Sequence, residues 1–440
     1  MTNDYRTRIT TPDQALAVVR SGQRVYVHNG CAEPLELVNA LTRRGPALRD
    51  VEVLHMATMG IADYSLPEHE SHFRHNALFI GGNVRKAVQE GRADYTPIFL
   101  SEIESLFTSG ALPIDVCLLQ CAPPDNYGYM SLGVAIDASL TAAQCARHVI
   151  VEINDQMPRT HGDTFLHVSR VDAFVETSHP LAEYPKHPVS DVQRAIARHV
   201  APLIPDGATI QTGIGGIPEA VLGLLHDHKD LGIHSEMIPE SAVDLIRSGV
   251  INGERKTLHP RKAVAGFVLG GKRLFDFIDD NPSFEFHRTA YANDPFVIAQ
   301  NDRMVALNSA IEVDLTGQVC ADSIGQTIYS GIGGQVDFLR GAARSKGGKP
   351  IITLPATARN DTISRIVPRL QPGAGVVTSR GDVHYVITEH GVAYLHGKTL
   401  RQRAEAMIGI AAPQFREELE REAVDAKILS PDRSFVTVLA

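Results

Sequence analysis

The 440-residue sequence contains no apolar run that approaches the ~18 residues needed by a membrane-spanning helix. Its start, MTNDYRTRIT, has no basic segment followed by an apolar stretch, as a secretory signal would have. We therefore expect a cytoplasmic protein with no membrane partner. The formal charge of −9 also leaves no excess of basic residues for general binding of nucleic acid, which requires a basic face to neutralise phosphates.

Several common kinds of reactive site are missing as well. The five cysteines form no CxxC and no Cys/His pair at zinc spacing, so we expect reduced, mostly buried thiols. The histidines form no HExxH motif and no acid-bracketed triad, and we predict no metal site. The absence of a GxSxG elbow argues against a thioesterase of the α/β-hydrolase type.

What the sequence does contain is an alternation of strand-like and helix-like segments, which is typical of parallel α/β domains. RVYVHN at 24–29 predicts a strand, and EPLELVNALT at 33–42 has apolar residues at helical spacing. The same unit recurs in ATIQT at 208–212 followed by PEAVLGLL at 218–225. We predict an α/β fold with mostly parallel sheets.

The two occurrences of this unit indicate an internal repeat. Three pairs of landmarks recur in the same order at offsets of ~183 to ~189 residues: Gly30 with Gly213, Gly81-Gly82 with Gly270-Gly271, and the DNYG turn of Asp125 and Gly128 with the DLTG turn of Asp314 and Gly317. We infer two tandem homologous open α/β domains, residues 1–185 and 186–440. Their junction is predicted in the proline-rich stretch HPLAEYPKHP at 179–188. The alternative is a chance match between glycine turns.

Two glycine-rich turns in the second half follow strand-like runs. GIGGIP at 213–218 allows backbone N–H groups to approach a ligand at the start of a helix, but Pro218 replaces the third glycine of a dinucleotide fingerprint. SGIGGQ at 330–335 is the second turn. Together they could surround one crevice with donors that suit an oxyanion better than a metal; a tight turn without a ligand is the alternative for the first turn taken alone. A basic cluster downstream could hold a phosphorylated ligand or be a solvated loop: Arg340, Arg344, Lys346 and Lys349.

At these motifs the sequence resembles the acetyl-CoA hydrolase/transferase family of class I CoA-transferases, most closely its 4-hydroxybutyrate CoA-transferase branch. The resemblance covers nearly the whole chain. It rests on GCAEP (30–34), GGNVRKAVQEGRADYTPIFLSEI (81–103), APPDNYGYMSLG (122–133), QTGIGGIPEAV (211–221), LGIHSEM (231–237), NSAIEVDLTGQV (308–319), SGIGGQVDF (330–338) and TEHGVAYL (388–395).

The resemblance implies a site in a cleft between the two domains, with Glu236 of the HxEM segment as the nucleophile. It places the oxyanion glycine at Gly334, beside Gly333, and a catalytic carboxylate at Glu389, for which an ordinary salt-bridged acid is the alternative. The implied CoA-binding residues are Gly213, Ile214, Gly215, Gly216 and Ile217 of the first turn and Gly333 and Gly334 of the second, with Asn308 and, more weakly, Ile311. Acyl-CoA and a short carboxylate are then the substrates, no cofactor is permanently bound, and a homodimer or homotetramer is expected.

Without that resemblance, Glu236 in LGIHSEMIPE could be a surface or helix-cap residue. The matching segment of the first repeat, VLHMAT around His55, has no acid, so the second copy has gained a carboxylate beside His234. We predict transfer of CoA through a glutamyl-CoA thioester, with 4-hydroxybutyrate, butyrate, succinate, itaconate or acetate as the carboxylate. The alternatives are an acyl-CoA hydrolase that uses the same glutamate and a non-catalytic acyl-CoA-binding protein.

Overall fold

A computed structural model describes residues 5–186 and 188–430 of the chain. Residues 1–4 of the N-terminal segment and His187 of the predicted junction lie outside the described part. Up to Thr177 the chain forms strands β1 (Arg24–Val27), β2 (Val51–His55), β3 (Phe73–Ala77), β4 (Asp94–Tyr95), β5 (Val116–Cys121), β6 (Tyr129–Ser131), β7 (His148–Asn154), β8 (Phe165–His167) and β9 (Ala173–Thr177). The helices between them are α1 (Pro12–Ala15), α2 (Leu35–Arg43), α3 (Arg85–Gln89), α4 (Ile103–Thr108) and α5 (Ser139–Cys145).

Seven of these strands form one sheet in the order β4-β3-β2-β1-β5-β7-β9. Every neighbouring pair in it is parallel. All six residues of β5 are buried, because helices cover both faces of a parallel sheet of this kind. Strands β6 and β8 form a separate antiparallel pair.

The remaining chain forms the second half. Its helices are α6 (Asp191–Val200), α7 (Gly216–Leu222), α8 (Ala242–Arg247), α9 (Lys272–Ile278), α10 (Thr289–Ala292), α11 (Pro295–Ile298), α12 (Gln335–Arg344), α13 (Leu400–Ile410) and α14 (Arg416–Asp425). Its strands are β10 (Thr209–Gln211), β11 (Gly232–Ile233), β12 (Met237–Pro239), β13 (Ala263–Ala265), β14 (Phe267–Leu269), β15 (Phe284–Phe286), β16 (Met304–Ser309), β17 (Glu312–Asp314), β18 (Val319–Cys320), β19 (Ser323–Ile324), β20 (Thr327–Ile328), β21 (Lys349–Thr353), β22 (Thr357–Ala358), β23 (Ile363–Ser364), β24 (Ile366–Val367), β25 (Tyr385–Thr388) and β26 (Gly391–Tyr394).

The second large sheet has the order β11-β10-β16-β21-β25-β26 and is parallel except for its last strand, β26. Its first five strands follow the same path as β2-β1-β5-β7-β9 of the first sheet. The predicted α/β class with mostly parallel sheets is therefore confirmed. The predicted division at residues 185 and 186 falls in the connection between β9 and β10 and stays a prediction.

The turns that suggested the repeat have the same hydrogen bonds in both halves. Asp125 Oδ1 accepts the N–H groups of Tyr127 and Tyr129, each at 2.9 Å. Asp314 Oδ1 accepts the N–H groups two and four residues further on, also at 2.9 Å each. The glycine of each turn, Gly128 or Gly317, has a positive φ. The two turns are thus copies of one local structure, which supports duplication over chance matching.

Some expectations differ from the structure. The helix expected at 218–225 begins earlier, at Gly216, because Pro218 fits the first turn of a helix, where no N–H is needed. The turn at 330–335 follows β20 of a short antiparallel hairpin, instead of ending a strand of the large parallel sheet. The second turn therefore reaches the site on a segment that lies outside the large sheet.

The largest cluster of buried apolar side chains contains residues of both sheets, such as Leu119 of β5 and Leu307 of β16. The two halves therefore share a core. Smaller clusters lie within each half. All five cysteines are free thiols and only Cys145 is partly exposed, as expected. No helix in the described ranges has the length and apolar character to cross a bilayer.

In the first half, a buried carboxylate occupies the start of helix α2. Glu152 Oε2 accepts the N–H groups of Glu36 and Leu37 at 3.0 and 3.2 Å. Its other oxygen, Oε1, lies 2.7 Å from His179 Nε2. The hydrogen bond with Glu152 raises the pKa of His179 to about 9, against desolvation, which lowers it. The pair connects β7 to the segment after β9.

Replacing this carboxylate tests its contribution to stability. Glu152→Gln should lower the free energy of unfolding by about 2 kcal/mol at pH 6, because hydrogen bonds to a charged group are the stronger ones. The pKa of His179 is higher in the folded than in the unfolded protein, so the pair contributes its full stability at pH values below the unfolded pKa. This contribution is lost as pH rises through the folded pKa. The deficit should therefore shrink between pH 6.5 and 9. Denaturant unfolding at several pH values measures it, with the exposed Glu68→Gln as the control; a deficit independent of pH would contradict the charged pair.

Candidate active site

Glu236 lies between β11 and β12, and its backbone is fixed on both sides. Its carbonyl oxygen accepts the N–H groups of Gly266 at 2.9 Å and Phe267 at 3.3 Å. The preceding residue, Ser235, donates its hydroxyl to the carbonyl of Thr212 at 3.0 Å. These contacts tie the Glu236 loop to the end of β10, just before the first glycine turn.

Two donors hold the half-buried carboxylate of Glu236. Asn293 Nδ2 donates to Glu236 Oε2 at 3.1 Å. The backbone N–H of Gly334 donates to the same carboxylate. A Cβ at position 334 would overlap both Glu236 Oε2 and Asn293 Nδ2, so only glycine leaves room for this arrangement. The second glycine turn therefore reaches Glu236 with its backbone.

The environment of Glu236 favours its protonated form more than water does. Desolvation is the main cause and raises its pKa to about 7; the negative charges of Asp337 and Asp137 act in the same direction. The hydrogen bonds from Asn293 and Gly334 oppose this rise. Burial also raises the pKa of Asp337 to about 7, and Ser101 donates its backbone N–H and its hydroxyl to that carboxyl. Two carboxyl groups with raised pKa values thus lie side by side at the site.

Glu236 faces a cavity of about 590 Å³ formed by both halves of the chain. The first half contributes apolar side chains and the glycines after β3, together with one cation, Arg85. The second half contributes the start of the first glycine turn and residues around β12 and β14. The lining residues include Asn29, Met56, Ala57, Thr58, Met59, Phe79, Gly81, Arg85, Asp137, Tyr184, Gly213, Ile214, Glu236, Phe267, Leu269 and Tyr329.

The first glycine turn lies at the edge of this cavity. Gly213 and Ile214 line it, and Gly215 lines a smaller cleft beside it. Gly215 has a φ of 103°, which favours glycine, and Gly216 packs so closely on Gln193 that a Cβ would overlap that side chain. Ile217 points away into the apolar core. Three of the five residues predicted to bind CoA in this turn thus border open space.

The second glycine turn packs on the first half. A Cβ added at Gly331 or Gly333 would lie 3.0 to 3.2 Å from the Phe79 side chain. The Gly333 carbonyl accepts the N–H of Leu100 at 3.4 Å, and the N–H of Ile332 bonds to the Tyr95 hydroxyl at 3.1 Å. Gly333 has a φ of 62°, a left-handed conformation that glycine adopts easily. These contacts position Gly334 next to Glu236.

The other predicted site residues, Asn308, Ile311 and Glu389, do not line the cavity. Asn308 donates to Gln211 Oε1 at 3.1 Å, two residues before Gly213, so it supports the first turn. The N–H of Ile311 bonds to the carbonyl of Cys320 at 2.8 Å. Glu389 accepts the N–H of Ala356 at 2.9 Å and is not among the residues that line the cavity. Among the described residues no contact joins Glu389 to Glu236, and the catalytic role of Glu389 stays a prediction.

The basic cluster of the sequence does not form one surface beside the cavity. Arg340 pairs with Asp382, with 3.2 Å between Nε and Oδ1, and Lys349 donates to the carbonyl of Leu203 at 2.6 Å. Arg344 and Lys346 are exposed. None of the four lines the cavity, so of the two interpretations the structure favours a paired and solvated segment.

Three residues that surround Glu236 were not predicted from the sequence: Asn293, Asp337 and Asp137. Asp337 lies three residues after Gly334, and the helical spacing of that segment could have placed it one turn from the oxyanion glycine. Asn293 and Asp137 gave no such signal, because each is brought to the site by long-range packing. Asp137 is buried and accepts hydrogen bonds from Asn29 at 3.0 Å and from the Ser139 hydroxyl at 2.7 Å.

Comparison with known proteins identifies the family. Residues 1–182 match the acetyl-CoA hydrolase/transferase N-terminal domain, and residues 270–423 match the corresponding C-terminal domain. A 4-hydroxybutyrate coenzyme A transferase from Clostridium kluyveri is 51% identical over 418 residues, which cover 95% of this chain and 97% of that protein. The chain belongs to the acetyl-CoA hydrolase/transferase family.

Two further members of this family are similar over nearly their whole length. A succinyl-CoA:acetate/propanoyl-CoA:succinate CoA transferase from Fasciola hepatica is 48% identical, with 95% of this chain and 88% of that protein covered. The crystal structure of a 4-hydroxybutyrate CoA-transferase from Porphyromonas gingivalis superposes with a TM-score of 0.83 at 41% identity. It covers 96% of this chain and 98% of its own. The resemblance inferred from the motifs is confirmed.

The raised pKa of Glu236 can be tested through protein stability. A folded carboxyl with a pKa of about 7 keeps a proton that the unfolded carboxyl, at 4.5, has lost, so wild-type stability falls as pH rises between these values. Glu236→Gln carries no such group. The melting temperature of the variant relative to wild type should therefore be higher at pH 8 than at pH 5 by differential scanning fluorimetry. An equal difference at both pH values would contradict the raised pKa.

Proposed function

We propose that Glu236 carries CoA as a covalent glutamyl thioester while the enzyme exchanges CoA between an acyl-CoA and a short-chain carboxylate. The chain is an enzyme of the CoA-transferase type, since relatives between 36% and 51% identical over nearly its full length are named CoA-transferases. The observation that carries the thioester proposal is the carboxylate of Glu236 at a large cavity, held by Asn293 and the N–H of Gly334.

The reaction consists of carboxylate exchanges that need no external base. A Glu236 carboxylate oxygen attacks the thioester carbonyl, the C–S bond breaks, and a mixed anhydride and CoA thiolate result. The thiolate then attacks the Glu236 carbonyl and releases the free acid as its carboxylate, which leaves CoA on the enzyme. The acceptor carboxylate repeats these steps in reverse and leaves as the new acyl-CoA. No proton is consumed, and atoms and charges balance.

Gly334 and Asn293 are placed to stabilise the oxyanions of these steps. Both donate to the carboxylate of Glu236, where negative charge develops when its carbonyl is attacked. A fixed donor of this kind contributes about 3 to 4 kcal/mol to the transition state. Because they are already positioned in the ground state, no reorganisation is required when the charge forms.

Substrates reach Glu236 from the cavity. The turn around Gly213 and Ile214 is the proposed contact for CoA, supported by its position at the cavity edge. Apolar side chains such as Met59, Phe79 and Leu269 suit a short acyl chain and keep water from the anhydride. 4-Hydroxybutyrate, succinate, butyrate, itaconate and acetate are the proposed carboxylates; all except itaconate are supported by the names of relatives. Homo-oligomerisation and a cytoplasmic location remain predictions from the sequence.

Hydrolysis of acyl-CoA is the second candidate function, since water could replace the acceptor at Glu236. Relatives named acetyl-CoA hydrolase are more distant than those named transferase, and they cover less of the chain. Transfer is therefore the proposal. The family membership and the geometry at Glu236 also argue against a purely acyl-CoA-binding protein.

Trapping the intermediate tests the proposal. After incubation with acetyl-CoA, borohydride reduction and digestion, mass spectrometry should find the modification on the peptide that contains Glu236. Glu236→Gln should give an unmodified peptide and lose transfer while still binding CoA, and Glu68→Gln should behave as wild type. Both CoA esters are followed with and without a second carboxylate. Free CoA released at the same rate in the two cases would contradict transfer.

A second experiment tests the backbone donor at position 334. Gly334→Ala inserts a Cβ into the space of the Glu236 and Asn293 side chains, so kcat should fall by a factor on the order of 100 or more. Gly409→Ala in α13 is the matched control, because nothing lies within 4 Å of the added Cβ. Steady-state kinetics and the melting temperature should be measured for both variants. A Gly334→Ala enzyme with wild-type kcat would contradict the part assigned to this N–H.

A further inference from the structure

A group of three side chains behind the Glu236 loop has the composition of a metal site. Among the described residues, His259, Glu285 and His287 bring two imidazole nitrogens and a carboxylate oxygen within 4.8 Å of one another. His259 Nδ1 lies 2.7 Å and His287 Nε2 lies 3.7 Å from the same oxygen, Glu285 Oε2. The three side chains are half-buried.

The second nitrogen of each imidazole faces a polar group. His259 Nε2 is 2.6 Å from the hydroxyl of Tyr291, and His287 Nδ1 is 3.6 Å from a carboxylate oxygen of Asp163. Ligand histidines in proteins are oriented in this way, by an outer partner on the nitrogen that does not bind the metal. Both rings are thereby turned with the remaining nitrogen toward Glu285.

An ion pair alone accounts for only part of this arrangement. Within the described chain, His287 Nε2 is buried without a hydrogen-bond partner, which is costly for a polar atom. Two lysines are close: Lys262 Nζ is 4.0 Å from Glu285 Oε1, and the buried Lys256 Nζ donates to the carbonyls of Ile233 and Lys262. Lys262 thus approaches the carboxylate oxygen that faces away from the two histidines.

We propose that His259, Glu285 and His287 bind one divalent transition-metal ion of the zinc type. Two imidazoles and one carboxylate favour such an ion over Mg²⁺ or Ca²⁺, which prefer oxygen ligands alone. Three protein ligands leave one position for water. No metal site was predicted from the sequence, because the three residues share no recognisable spacing motif. The pairing of β13 with β15 brings them together.

The site stands immediately behind the Glu236 loop. The N–H of His287 bonds to the carbonyl of Ala265 at 2.8 Å, and the next residue, Gly266, donates to the carbonyl of Glu236 at 2.9 Å. A bound ion would connect the loop of His259 to the end of β15 and hold both against β13. Its proposed effect is therefore on stability, and it does not depend on the thioester proposal.

Metal binding can be measured directly on the full chain, prepared without a histidine tag and treated with a chelator. Titration calorimetry with Zn²⁺ should give one site per chain, and Co²⁺ should give visible absorption bands typical of low coordination number. Zn²⁺ should also raise the melting temperature, whereas Mg²⁺ should not. Absence of Zn²⁺ binding by the wild-type protein would overturn the proposal.

Variants locate the ion. His287→Ala and Glu285→Gln should each weaken Zn²⁺ binding by more than about 100-fold, beyond the loss typical of outer-shell partners. His148→Ala is the control, because His148 faces a single carboxylate, that of Asp172, at 3.8 Å and should keep wild-type affinity. Circular dichroism establishes that each variant is folded, and if one is not, the other serves. Unchanged Zn²⁺ affinity in a folded ligand variant would place the ion elsewhere and overturn the assignment.

Discussion

The arrangement of the site depends on the hydrogen bonds that the carboxylate of Glu236 requires. A partly desolvated carboxylate needs hydrogen-bond donors, and here they come from Asn293 and from a backbone N–H at a position where no side chain is possible. Gly334 in turn is held by the packing of its turn on Phe79 and Leu100 of the first half. The site is thus complete only when both halves of the chain are folded together.

The two halves share a strand order, but equivalent positions in them have different roles. In the first half, the start of helix α2 is filled by the chain's own Glu152, and Ala57 stands two residues after His55 where Glu236 stands two residues after His234. In the second half, the turn before α7 borders the cavity and a carboxylate is present. Ala57 lines the same cavity, so the first copy contributes to its wall.

Electrostatics explains why the reactive group is a carboxylate among other carboxyls. Asp337 and Asp137 raise the pKa of Glu236, while Asn293 and Gly334 lower it, and desolvation exceeds both. A less stabilised carboxylate is a better nucleophile, and donors that remain in place still stabilise the oxyanion. His259, Glu285 and His287 lie behind this loop, and the ion proposed for them would stabilise the support of the site.

The sequence by itself determined the α/β class and the repeat, because strand periodicity and glycine turns are local properties. Its motifs also carry the family resemblance, and that resemblance implied the roles of Glu236, Gly213 and Gly334. Tertiary structure alone decided that Asn293, Asp337 and Asp137 surround Glu236, that Glu389 hydrogen-bonds to Ala356 away from the cavity, and that His259 meets His287. These contacts join residues far apart in the chain, and their positions follow from strand pairing and shared packing, which no local pattern records.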